Sequence, residues 1–91
     1  MAGASSDILN DISILSLRCF ASVVETQSFS AAARQLRLVP SSVTKHVQGI
    51  EKAIKAALFH RTTRRVSVTE AGERFYERCL AILAQILDLG K

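Results

Sequence analysis

The chain has 91 residues and a mass of 9.9 kDa, room for one small domain. Hydrophobic residues make up 48% of it, which excludes a chain disordered by composition, while 5% aromatics and no Trp make the core aliphatic. A net charge of +4 suits an anionic partner without identifying one.

Residues 1–10 are small and polar with no sustained period, and are expected to form a frayed tail. The folded unit that precedes the last helix is expected over 11–68. A first helix is predicted from Asp11 or Ser13, either of which can cap it, with Leu17, Phe20, Ala21 and Val24 on one face. It ends at Thr26-Gln27-Ser28, and Ser28 can cap a short second helix whose inner face is Phe29, Ala32, Ala33 and Leu36. The two alanines have little bulk, so another helix can cross close to it.

Arg37-Leu38-Val39 reads as a turn, and Pro40 suits the first position of a third helix, where its missing N–H costs nothing. That helix is predicted from Pro40 to about Ile54. Val43, Val47, Ile50 and Ile54 form its apolar stripe; Ser41, Lys45, Gln48, Lys52 and Lys55 lie on the opposite side. From Leu58 to Val68 the period changes to alternation, with Thr62-Thr63-Arg64-Arg65 at the apex, which predicts a two-stranded hairpin with a cationic tip. Thr69 can cap a last helix over 69–91, reaching about Leu89, with Glu70 and Glu73 in its first turn where the helix dipole favours anions.

Charge is not spread evenly. Residues 1–33 carry a net −2, residues 34–65 a net +7 with Glu51 as their only acid, and residues 66–91 a net −1. Two helices joined by a three-residue turn, with a polar, basic face on the second, make a helix-turn-helix over about 29–48. A helix fits the DNA major groove with its first residues at the base edges. Ser41 and Thr44 offer hydroxyls there, Lys45 can reach guanine or phosphate, and Gln48 can pair with adenine or a backbone oxygen. Arg64 and Arg65 at the hairpin tip suit a narrow minor groove or phosphates. Arg61 reads equally well as a DNA contact or as a brace of the hairpin, and Lys52 and Lys55 as DNA contacts or solvated charges. His46 and His60 read as structural.

Cys19 and Cys79, far apart with no ligand-spaced partners, exclude a zinc site and read as small hydrophobes; no metal, cofactor or small-molecule site is expected. The sequence shows no catalytic constellation or glycine-rich phosphate loop, so the chain is not expected to be an enzyme. With no leader pattern and no membrane-length apolar run it reads as cytoplasmic, with no membrane partner. A helical module whose basic patch binds acidic proteins is the alternative to DNA binding.

Ser28-Phe29-Ser30-Ala31-Ala32, Leu36, Ser42-Val43-Thr44-Lys45-His46-Val47 and Ile50-Glu51 together resemble the helix-turn-helix of LysR-type transcriptional regulators. Leu58 to Gly72 resembles that family's wing and its entry into a linker helix. The resemblance implies a mainly α fold: a winged helix-turn-helix, three helices plus a two-stranded wing at about 58–68, followed by a long linker helix for dimerisation. It implies sequence-specific binding of double-stranded DNA, as a homodimer, at an interrupted palindrome. Positions matching Pro40, Ser41, Thr44 and Lys45 face the major groove in the family, and the position matching Arg64 reaches the minor groove. Ser28, Ser42 and Thr63, from the same motif strings, complete the expected DNA-facing set with Gln48, Arg61 and Arg65. Three departures stand out. Pro40 replaces a frequent glutamine, Val39 a Ser or Thr cap, and Lys55 a glycine after the third helix. At Lys55 either a left-handed turn is strained or the helix runs on. Family members continue into an effector-binding domain, so the chain is expected to be a DNA-binding fragment or else a natural short form.

In the last helix Phe75, Cys79, Ile82, Ile86 and Leu89 follow a coiled-coil seam, flanked by Tyr76, Leu80, Leu83 and Leu87. Its first turns are expected on the N-terminal helix. The remainder is expected to face a second subunit, so Phe75, Tyr76, Cys79, Leu80, Ile82, Leu83, Ile86 and Leu87 form the expected dimerisation set.

Overall fold

A computed structural model describes residues 12–62 and 66–90. Four helices and one ribbon follow in chain order: α1 (Ile14–Thr26), α2 (Phe29–Leu36), α3 (Pro40–Ile54), β1 (Phe59–Arg61), β2 (Val66–Val68) and α4 (Glu70–Leu89).

Local chemistry sets each boundary. Ser13 caps α1 in a reciprocal box with Ser16: each hydroxyl accepts the other's backbone N–H, at 3.0 and 2.7 Å. Ser28 caps α2 through the Ala31 N–H, and Thr69 caps α4 through the Gly72 N–H. The N-cap of α3 is Val39, which offers no side-chain acceptor, and Pro40 starts the helix in its place. The first three helices each stop on a residue in the left-handed region: Gln27, Arg37 and Lys55, with φ of 57°, 59° and 57°. None is glycine, so backbone strain is accepted at three turns. At Lys55 the helix therefore ends in the left-handed turn rather than running on.

The core centres on α1, which packs against α2, α3 and α4. Phe20 is fully buried, with the rings of Phe59, Phe75 and Tyr76 at centroid distances of 5.4, 5.1 and 6.3 Å. Ala32 and Ala33 are buried against it, as their small size permits, and α3 contributes Val43, Val47 and Ile50. The serine hydroxyl of Ser22 donates to Gln35 Oε1, tying α1 to α2.

The ribbon is antiparallel with Phe59 opposite Val68, His60 opposite Ser67 and Arg61 opposite Val66. Among the described residues it pairs 59–61 with 66–68, inside the 58–68 hairpin expected, and Leu58 is buried in the core. Its base is stitched to α4: the Thr69 N–H donates to the Leu58 carbonyl at 2.9 Å, and the Thr69 hydroxyl donates to the Ala57 carbonyl at 2.6 Å. Helix α4 then runs antiparallel to α1, since the Tyr76 hydroxyl meets Glu25 while Cys79, one turn on, meets Leu17.

Candidate nucleic-acid interface

The α2–α3 connection determines what α3 presents. Arg37 closes α2 in a left-handed turn, the Leu38 N–H returns to the Ala33 carbonyl at 2.8 Å, and Leu38 packs on the core. Val39 is extended and Pro40 begins α3. The helix buries Val43, Val47 and Ile50, so its opposite face is fixed outward. Ser41, Lys45, Gln48 and Lys52 are all exposed on that face, and Pro40 is exposed at its start. Ser42 and Thr44 are half-buried on its flanks. Six of the residues expected at DNA (Pro40, Ser41, Ser42, Thr44, Lys45 and Gln48) thus come together on the first turns of one helix, where the positive end of the helix dipole also favours an anion.

Ser28 lies at the start of α2, half-buried, with its hydroxyl accepting the Ala31 N–H. Arg61 is brought to the brace side of the alternative left open above. Its Nη2 donates to Glu51 Oε1 at 3.2 Å, and its guanidinium sits 5.3 Å from the Phe29 ring centroid. Thr63, Arg64 and Arg65 lie outside the described residues. His46 is half-buried on α3, and His60 is exposed on β1.

Glu51 escaped the sequence reading. It is the one acid of a +7 segment, and its carboxylate takes the Leu58 N–H at 2.8 Å as well as Arg61. That isolation within a basic run was the available signal.

Helix α4 divides the expected dimerisation set. Cys79 is fully buried in its own chain, with its thiol donating to the Leu17 carbonyl at 3.4 Å, so it cannot face a second subunit. Burial pushes that thiol up to about 11, and desolvation also raises Cys19; both are neutral near pH 7. Phe75 and Tyr76 are half-buried, their rings on Phe20, and the Tyr76 hydroxyl donates to Glu25 at 2.9 Å; burial, then this bond, raises its pKa. Leu83 also packs on the core. The first turns of α4 serve the monomer's core, which corrects the placement of Cys79 in the seam. Leu80, Ile82 and Leu87 remain exposed, the last at 73%, with Ile86 half-buried.

Among the described residues no group of His, Cys, Asp or Glu could hold a metal ion, and no helix is long and apolar enough to cross a membrane.

A helix-turn-helix carried on a three-helix core, with a β-ribbon beside its second helix, defines a winged helix-turn-helix module. The family model for bacterial regulatory helix-turn-helix proteins of the lysR family matches residues 14–73, and the chain belongs to that family. An uncharacterized HTH-type transcriptional regulator of Haemophilus influenzae is 45% identical over 83 residues, covering 91% of this chain and 26% of that protein. The HTH-type transcriptional regulator DmlR of Escherichia coli is 39% identical over 84 residues, covering 88% of this chain and 27% of that protein. The chain therefore spans about a quarter of the length of the curated relatives it matches. These relatives are transcriptional regulators, not enzymes.

Solved structures agree. The DNA-binding domain of BenM in complex with benA site 1 DNA superposes with a TM-score of 0.81 at 29% identity, covering 86% of this chain and 88% of that one. The CbnR DNA-binding domain in its DNA complex gives 0.83 at 28%, covering 87% and 91%.

Proposed function

We propose that the chain is a sequence-specific reader of double-stranded DNA, the DNA-binding module of a LysR-type transcriptional regulator, working in the cytoplasm. The exposed polar face on the first turns of α3, directed outward by three buried residues on the reverse, carries this reading. In it Pro40, Ser41, Ser42, Thr44, Lys45 and Gln48 address the major groove, with Lys45 and Gln48 long enough to reach base edges. Ser28, at the start of α2, adds a phosphate contact. Thr63, Arg64 and Arg65 address the minor groove or the phosphates beside it from between the paired strands. The DNA complexes of BenM and CbnR, which share this fold and over a quarter of its residues, support the assignment.

Two modules act together. The exposed apolar side chains of the later turns of α4, Leu80, Ile82, Ile86 and Leu87, are the surface on which a second copy packs. A symmetric pair presents two α3 helices, and hence reads an interrupted palindrome.

The test is enrichment of duplexes by the chain from a random-sequence pool. The reading predicts a shared half-site repeated in inverted orientation with a fixed gap. A pool that stays random after repeated rounds would overturn specific recognition, and a single unrepeated half-site would overturn the dimer.

A further inference from the structure

Among the described residues the ribbon has three residue pairs, and a short two-stranded hairpin does not hold a direction in water by itself. Something outside it must set where its tip points. Its base is held by α4 through Thr69 and by the core through Phe59, and one residue of α3, Glu51, adds a connection to the recognition helix. Glu51 receives four donors. Its backbone carbonyl takes the Lys55 and Ala56 N–H groups that close α3. Its carboxylate takes the Leu58 N–H through Oε2 at 2.8 Å and the Arg61 guanidinium through Oε1 at 3.2 Å. Arg61 in turn lies over Phe29, whose ring meets Phe59 edge-on at 5.8 Å. The carboxylate is sheltered, with 17% of the Glu51 side chain exposed, so these charge-assisted bonds are stronger than an open surface pair.

Lys45 and Gln48 lie on the same helix six and three positions before Glu51, and Arg64 follows Arg61 by three. Among the described residues, the Glu51 carboxylate is thus a side-chain link from α3 to Leu58 and Arg61 at the start of the wing.

We propose that Glu51 is a positioning residue for DNA recognition. It fixes the wing against α3 so that the wing arginines and the face of α3 engage one duplex in a single register. The proposal rests on the DNA-binding reading above.

Charge alone predicts the opposite of what positioning predicts. Glu51 is the only acid among residues 34–65, and neutralising it makes that segment more basic, which on electrostatics strengthens binding to any DNA. If Glu51 positions the wing, Glu51→Gln instead weakens binding to the enriched duplex about tenfold, the scale of one misplaced base or groove contact. Binding to an unrelated duplex of equal length stays the same or tightens.

The decisive experiment is a double-mutant cycle on the 91-residue chain, read as affinity for the enriched duplex. In an Arg64→Ala/Arg65→Ala background the loss caused by Glu51→Gln disappears, because no wing contact is left to misplace. In a Lys45→Ala background it persists. Arg61→Met, which keeps the stem over Phe29 but drops the charged bond, repeats the pattern and decides the matter should Glu51→Gln melt at assay temperature. Unchanged or tighter specific binding by Glu51→Gln, or an equal loss in the background lacking the wing arginines, would overturn the proposal. If the arginine pair is itself dispensable in the otherwise unaltered chain, the wing contact fails and takes the proposal with it. A pool that never enriches is a separate failure, of DNA reading itself.

Discussion

Single positions show where this sequence departs from the easiest local chemistry. Val39 leaves the first turn of α3 without a side-chain cap, a loss of about 1 kcal/mol against serine or threonine. Lys55 adopts φ 57°, a conformation that favours glycine, yet its amide still closes α3 on the Glu51 carbonyl. Lys55→Gly removes the Cβ clash but loosens the unfolded chain, and the net expectation is a gain of about 0.5–1 kcal/mol. A higher urea midpoint with unchanged slope is the predicted result. A lower midpoint would mean that the lysine side chain supports the fold by some contact of its own. Cys19 and Cys79, by contrast, follow their sequence reading as small hydrophobes: both are buried and free.

Elements depend on junctions. Gly72 lies in the first turn of α4, where that helix crosses the base of the wing; an ideal Cβ there would overlap the Leu58 carbonyl oxygen and Val68 Cγ2. Gly72→Ala is expected to cost about 2 kcal/mol by overpacking, against the small gain alanine normally brings to a helix. Thermal melting checks the sign, and a raised midpoint would show that the wing base gives way freely. The bounds of α3 could be read from the sequence because Pro40 fixes its start and the Val43–Val47–Ile50 stripe fixes its inner face. The two helix-to-helix turns were also readable, from Ser28 and from Arg37-Leu38-Val39. Glu51 was not, since its partners at positions 58 and 61 come within reach only after the left-handed turn at Lys55 folds the chain back. The division of α4 was hidden for a related reason. Heptad spacing identifies an apolar face, but whether α1 or another subunit covers each turn is a tertiary fact, and α1 takes Cys79.

Along the whole chain, two slightly acidic flanks, residues 1–33 and 66–91, border one strongly basic stretch, and the fold gives that stretch an outward helix face and a ribbon. Helix α4, 20 residues or ~30 Å, extends its last turns with Leu87 and Leu89 exposed at 73% and 85%. The dimer reading predicts a concentration-dependent mass in equilibrium sedimentation, shifted toward monomer by Leu87→Glu. An unaltered monomer at high micromolar concentration would contradict it.

DNA reading by the basic stretch is open to direct measurement. Titrating the chain with the enriched duplex and with an unrelated duplex of equal length, at several salt concentrations, tests it most directly. For both, log K should fall linearly with log salt by about 0.9 for each phosphate neutralised. The enriched duplex should bind about 10³-fold tighter at physiological salt. Equal affinity for the two duplexes, or a response flat in salt, would contradict the account.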